Sequence, residues 1–489
     1  MFGQGETLVA QGTPGPPTAV RRAGDGSGVP GERDGGTVAR VLLKGGCVLG
    51  LDRRVGNLRD ADVLVEDGRI AEIGRGLRAR DAEVVDARDT IVMPGFVDAH
   101  RHMWQTLLRH TAIAGGGSPT PDGARGLLTP EDVYAATLVG LLAAAAAGIT
   151  TVVDVADLAR DERHVRASLE AHADAGLRTV YVLAGPPGDA PGPDVGDALG
   201  AARDLAARLP ATTVAYGAHG LPTDDGAAAA WAVARALGLR IHAHVGATHA
   251  AVDRAVDRAA VGSAAPAVDG LLGDDVTLAH GLHLDDAGLD AVAAAGAAVA
   301  LTPTSDMGAG LGPPPVQALL DRGIRPGLGV ADELAGPGDL FAQMRAVQSV
   351  QHATSFDRKL AGKAGVPQLL STREVIRFAT VEGARAAGLA DRVGTLAPGH
   401  LADLVVLRAD RPNIAPVNDP IGAVVWGMDA SNVDWVFVGG RPLVREGVPN
   451  ADVARARDLA TAAHRRLTTS AATPDRAVPP MPARDGAAG

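Results

Sequence analysis

A chain of 489 residues with 46% hydrophobic side chains can bury one large core and a smaller one. Its net charge of −11 argues against nucleic acid or an anionic membrane as partner, and no charge-free apolar run reaches the ~20 residues that span a bilayer. A single cysteine, Cys47, excludes an internal disulfide and fits a reducing cytoplasm, and no signal-peptide core opens the chain.

Residues 1–38 are rich in Gly, Pro, Arg and Asp without periodicity and read as disordered. Short β-like runs follow at Ala39 to Lys44, Ala61 to Glu66, Arg69 to Ile73 and Glu83 to Asp86. They are broken by Gly45-Gly46 and by the hairpin signal Asp67-Gly68. The same texture returns at Ala402 to Leu407 and Trp435 to Gly447. Residues 39–92 and 394–449 therefore read as one small β-sandwich domain built from both chain ends.

Thr90 to Met93 reads as a strand closed by Pro94-Gly95, and it leads into Val97-Asp98-Ala99-His100-Arg101-His102. In extended backbone, residues two apart share a face, so His100 and His102 form half a site for a divalent metal. Arg101, between them, points the other way and reads as a structural ion pair with Asp98. Trp104 and Gln105 follow as substrate-pocket candidates, the ring to stack on a planar substrate and the amide to bond its edge. Trp104 fits a core position as well.

The stretch 93–393 alternates apolar strands with helix-like segments. Strands are expected at Thr150 to Val153, Arg178 to Leu183, Thr212 to Tyr216, Arg240 to His244, Val276 to His280, Ala297 to Leu301 and Gly327 to Val330. Repeated βα units of this number predict a parallel eight-stranded barrel with its site at the C-terminal strand ends. An open doubly wound sheet competes, but no Gly-x-Gly-x-x-Gly turn opens it. Residues 450–489 read as a C-terminal helix and flexible tail.

The chain resembles the amidohydrolase superfamily over roughly residues 39 to 447. The resemblance rests on IVMPGFVDAHRH (91–102), AGITT (147–151), HAHVG (242–246), TLAHGLHLDD (277–286), RPGLGVADE (325–333) and GTLAPGHLADLVVL (394–407). It is closest to the deaminase-like branch, in a group with HRHxWQ on the first strand and PGDxFxQMR after the last, here Pro337 to Arg345. Gln343 and Arg345 in that segment read as supporting or helix-surface residues.

The resemblance implies a distorted (β/α)8 barrel with a small β-sandwich. It also implies one divalent metal, Zn first with Fe or Mn as alternatives, held by His100, His102, His244 and a last-strand Asp. His280 matches the histidine that contacts the metal-bound water. No Lys ends the Thr212 strand to bridge a second metal. From the residues alone, His242 is an alternative to His244, and His219 is either a pocket residue or a loop residue. His283 and His249 read as surface residues, and His110, His164 and His172 as helical.

Two departures stand out. Counting back from Pro337-Gly338-Asp339, the family's last-strand Asp falls on Ala331, with Asp332 one residue late. A one-residue shift turns a side chain to the opposite face. Asp332 can then act as ligand or base only if the strand bulges or curls, and Glu333 is the second candidate. The family's proton-shuttling Glu, three residues after the fifth-strand His, is Ala247 here. Asp306, after the seventh strand, is the substitute proton source, or else a loop cap.

These residues predict a hydrolase in which metal-bound hydroxide cleaves a C–N bond of a cyclic amide, amidine or amino-heterocycle, with His280, Asp332 and Asp306 as catalytic groups. The alternative is a lyase, cyclase or isomerase using the metal as a Lewis acid. Partners are expected to be a small-molecule substrate and, through an apolar helix ring, a second copy in a homodimer, with the enzyme in the cytoplasm.

Overall fold

The computed structural model describes residues 40–111, 121–158, 161–185, 194–209, 211–222, 225–248 and 270–471. The segment 1–38, the tail beyond 471 and His249 lie outside the described residues. β1 (Val41–Leu49), β2 (Asn57–Glu66), β3 (Arg69–Gly74), β4 (Glu83–Asp86) and β5 (Thr90–Pro94) come first. Eight parallel strands follow: β6 (Phe96–Arg101), β7 (Ile149–Ala156), β8 (Arg178–Leu183), β9 (Thr212–Ala218), β10 (Ile241–His244), β11 (Val276–Ala279), β12 (Ala298–Leu301) and β13 (Gly327–Leu328). β14 (Leu404–Arg408), β15 (Val433–Val438), β16 (Arg441–Arg445) and β17 (Val448–Pro449) complete the set.

Strands β6 to β13 pair in sequence order. β7 is buried at every residue, which its Ile-Thr-Thr-Val-Val run allows because a parallel strand between helices is covered on both faces. The closing contact between last and first strands is one parallel bridge, Arg101 to Ala331. The result is a nearly closed (β/α)8 barrel.

The remaining nine strands form one hydrogen-bonded sheet from both ends of the described chain, joined where β5 runs antiparallel to β14 from Thr90–Arg408 to Pro94–Leu404. Its own core includes Val41, Val63, Ile70, Val92, Leu404 and Phe437. A buried ion pair, Arg178 Nε to Asp403 Oδ2 at 2.6 Å, ties it to the barrel.

One expectation needs correction. The run Thr90 to Met93 is not the strand that carries the histidines. It is β5 of the outer sheet, and the barrel's first strand is Phe96–Arg101 itself. The chain passes between the sheets at Gly95, where a Cβ would lie 2.1 Å from Thr150 Cγ2. Only glycine fits that crossing.

The barrel's N-terminal mouth is stoppered by the short helix Val381–Ala386. Val97 N donates to Ala379 O, Thr277 Oγ1 donates to Ala386 O, and a side chain on Gly383 would meet Val97 O at 2.8 Å. That leaves the C-terminal strand ends as the open mouth. The helix Val453–Ala471 packs beside it on the helix Pro130–Ala146, through the pair Arg466–Asp132 and a bond from His464 Nδ1 to Leu107 O at 3.1 Å. No described helix is long and apolar enough to cross a membrane.

Candidate metal centre

Four imidazoles from the ends of three strands meet at that mouth. His100 is the last residue but one of β6, His102 follows β6, His244 ends β10 and His280 follows β11. Ring centroids lie 5.0 Å apart for His100–His102, 4.8 Å for both His100–His244 and His100–His280, and 5.6 Å for His244–His280. His100, His244 and His280 each offer a nitrogen within 4.8 Å of the others, and His102 Nε2 lies 3.2 Å from His244 Nε2.

Each ring has its Nδ1 engaged on the outer side. His100 Nδ1 pairs with His242 Nε2 at 2.9 Å, and His102 Nδ1 with Asp157 Oδ1 at 3.2 Å. His244 Nδ1 donates to Ala218 O at 3.3 Å, and His280 Nδ1 pairs with Asp306 Oδ1 at 2.7 Å and Thr302 Oγ1 at 2.8 Å. Acceptor oxygens place the Nδ1 proton on His102, His244 and His280, and the pattern leaves Nε2 of each ring for the centre. His100 Nε2 is buried with no hydrogen-bond partner among the described residues.

Electrostatics keep most of the cluster neutral. Burial first, then the neighbouring imidazoles, hold His100 and His244 well below the ordinary histidine range, and burial pushes His242 down to about 3. Neutral imidazoles are the ligand form. His102 differs: burial opposes its charge, but Asp157 outweighs burial and shifts it upward. Burial alone would raise Asp157, but His102 and Arg125 bring it below the usual carboxylate range.

The last-strand question resolves locally. Ala331 sits at φ +60°, and Asp332 N donates back to Val330 O at 2.9 Å, a γ-turn. Ala331 is the residue bridged to Arg101, its N donating to His100 O and its O accepting from His102 N. The chain does curl before Asp332, as its use at the site requires. Asp332 Oδ2 accepts from Ser305 Oγ at 2.7 Å, Oδ1 from Leu334 N at 2.9 Å, and its charge is felt by His102. Glu333 is turned elsewhere and ion-pairs with Arg101 and Arg109. Arg101 also pairs with Asp98 at 3.3 Å, the structural role its position suggested. Burial outweighs Arg101 at Asp98 and pushes that carboxyl up to about 6.

Other candidates are redistributed. Trp104 is 3% exposed, donates Nε1 to Asp157 Oδ1 at 2.6 Å and has the Arg125 guanidinium 4.9 Å over its ring. It belongs to a buried cluster with Leu107, Leu128 and Leu467, a core setting. Gln105 is buried beside the histidine pair, and no side-chain partner is found for it among the described residues. His219 stands exposed at the rim, stacked 5.0 Å from His244, with Nε2 donating to Gly185 O at 2.7 Å.

Asp306, expected as a proton source or a loop cap, is wholly buried beside His280 Nδ1 and also accepts from Thr302 Oγ1. His242 lies behind His100, not in front of it. His164 and His172 are helical, whereas His110 sits in a turn at φ +60° and His283 is half-buried. The first reading missed Asp157 and Ser305. Asp157, the carboxylate just past β7, was open to detection as an Asp at a strand end. Ser305 had no signal.

The donor set fits a divalent cation: four convergent imidazoles, two with little affinity for protons and two backed by carboxylates, and a buried nitrogen with no other partner among the described residues. Fold and site together define a metal-dependent hydrolase acting on carbon–nitrogen bonds other than peptide bonds, taking small-molecule substrates. The amidohydrolase family model matches residues 91–443, and the chain belongs to that family. It is 31% identical over 433 residues to 5-methylthioadenosine/S-adenosylhomocysteine deaminase of Natronomonas pharaonis, covering 84% of this chain and 93% of the relative. To 5′-deoxyadenosine deaminase of Methanosarcina mazei it is 29% identical over 420 residues, covering 84% and 94%.

Among solved structures, triazine hydrolase from Arthrobacter aurescens superposes with TM-score 0.71 at 26% identity, covering 87% of this chain and 99% of that one. A zinc-bound adenosine deaminase from Xanthomonas campestris gives TM-score 0.73 at 21% identity, covering 88% and 99%.

Proposed function

We propose that this enzyme holds one zinc ion on His100, His102 and His244 and removes the exocyclic amine of an amino-heterocycle by hydrolysis, 5′-modified adenosines being the first class to test. The observation that carries the reading is the buried, unpartnered His100 Nε2 at the point where four rings turn their Nε2 atoms inward. The relatives named for adenosine-type deamination support the substrate class. A divalent cation held there lowers the pKa of a coordinated water toward ~7.

The chain's own groups supply the rest. Asp332, held by Ser305 and Leu334, takes the proton from the attacking water. As the water oxygen bonds to the ring carbon and the C–N bond breaks, Asp332 returns that proton to the departing amine, which leaves as ammonia. Ala247 offers no acid for this step, so the carboxylate does both transfers. His280, its Nδ1 proton fixed by Asp306, presents Nε2 as an acceptor that orients the water. Gln105 bonds the heterocycle's edge, and His219 borders the entrance. The lone Cys47 supports a reducing, cytoplasmic setting.

The test is a panel of 5′-modified adenosines, cyclic amidines and amino-triazines assayed for ammonia, in 18O-labelled water, on protein with measured metal content. Ammonia release with one labelled oxygen in the product is expected at one metal per chain. Turnover of any compound without label incorporation overturns the hydrolytic reading, and full activity in metal-stripped protein overturns the metal.

A further inference from the structure

The segment Pro337 to Arg345 was singled out by sequence, and hydrolysis as described leaves it without a role. In the fold it wraps the back of the last-strand turn. Gly338 O accepts from Arg101 Nη1 at 3.1 Å. A Cβ on Gly338 would lie 2.7 Å from Glu333 Cδ and 3.1 Å from Arg101 Nη2, so the missing side chain makes room for the Glu333–Arg101 pair. Asp339 caps the helix Leu340–Leu360 through Ala342 N. Gln343 holds Thr304 twice, by Thr304 N at 3.1 Å and Thr304 Oγ1 at 2.6 Å, and the next residue, Ser305, donates to Asp332.

Glu333 stands at the centre of this arrangement. It is buried, and both oxygens are taken by guanidinium groups: Oε1 by Arg101, which lies between His100 and His102, and Oε2 by Arg109 from the turn that follows. Its backbone O also accepts from His110 N at 2.9 Å. One residue before Glu333 is Asp332, and two before is the left-handed Ala331. Ordinary strand geometry does not aim Asp332 at the site, and a left-handed alanine is unfavourable by itself. Something must hold the turn.

We infer that Glu333 is a positioning residue: clamped to Arg101 and Arg109 in the space Gly338 leaves open, it fixes the turn at Ala331 and so aims the Asp332 carboxylate at the histidine cluster. This rests on the hydrolase reading in which Asp332 is the proton acceptor. Arg101 then has two duties, since the residue that separates the histidines also ties down the carboxylate opposite them.

A double-mutant cycle separates this role from mere scaffolding. Asp332→Asn is expected to lower kcat by ~10²–10⁴-fold with KM little changed. Glu333→Gln is expected to lower kcat at least ~10-fold with KM little changed, and to cost nothing further when added to Asp332→Asn, because a residue that acts through another has no effect once that other is gone. Gly338→Ala should follow Glu333→Gln. Metal retention against a chelator is expected to be unaltered in all of them.

Additive losses in the double variant, or a loss of metal in Glu333→Gln, overturn the inference while leaving the hydrolase reading intact. Wild-type kcat in Asp332→Asn instead sinks the base assignment and this inference with it. Should Glu333→Gln fail to fold, Ser305→Ala carries the same cycle without removing a charge, since it frees Asp332 Oδ2 alone. Additivity there likewise overturns the proposed aiming network.

Discussion

The two sides of the barrel mouth are held in opposite ways. On the histidine side, parallel strands do the aiming: His100 lies near the end of β6, where the pairing with β7 shifts register between Asp98 and Arg101, His244 ends β10, and each has one partner on its outer nitrogen. On the carboxylate side the last strand has only two regular residues, Gly327 and Leu328, and Asp332 follows a γ-turn, accepts from Ser305 and adjoins the buried Glu333–Arg101 ion pair in sequence. Repetitive backbone makes the first side rigid at little cost. The second needs specific long-range contacts, and it is the side on which a sequence can drift by a residue and recover by bending.

Variants should separate these two modes of support. The largest effect belongs to His244→Ala, which is expected to abolish metal retention and reduce turnover to background. Retained metal with partial activity would mean that the histidine side is not the anchor. Asp332→Asn should cost ~10²–10⁴-fold in kcat with metal still bound. If metal is lost along with activity, the carboxylate side is a ligand and the contrast narrows.

Asp157→Asn, which weakens the acceptor behind His102 and Trp104, is expected to reduce metal affinity by ~10–100-fold, read by chelator competition. An unchanged affinity would show that strand geometry alone orients His102. The smallest effect is expected of Ala331→Gly. Glycine accepts φ +60° freely, so kcat should stay within about twofold of wild type. Ala331→Val, whose β-branch resists that conformation, should fall well below it with metal retained.

Most of the barrel was legible in sequence. All seven strands expected after the first lie where apolar runs placed them, with ends displaced by a few residues, because a parallel strand buried on both faces must be apolar throughout. Both halves of the outer sheet were visible as short runs between glycine turns. The histidine set was legible too, since His-x-His at alternate positions and a histidine at a strand end are local patterns. Sequence leaves Trp104 between pocket and core because a Trp beside a metal motif suits either, and its partners Asp157 and Arg125 come from other segments. Asp306 reads in sequence as a proton source or a loop cap, and its contact with His280 comes from the fold.

Local periodicity and spacing by themselves pointed to a parallel barrel with the His100–His102 pair at its open end, and the resemblance to the amidohydrolase superfamily added His244 and His280. The barrel and the pair follow from the two-residue repeat of a strand, which any segment carries within itself. Tertiary structure alone decided which partners the carboxylates around the site take. Asp157, Asp306, Asp332 and Glu333 are the same kind of group on paper, and they are sorted by what reaches them across the fold: a ring nitrogen, a hydroxyl, or a pair of guanidinium groups. A side chain's partner 26 to 232 residues away has no trace in local pattern, and at a positive-φ turn even the facing of adjacent residues is set by contacts rather than by order along the chain.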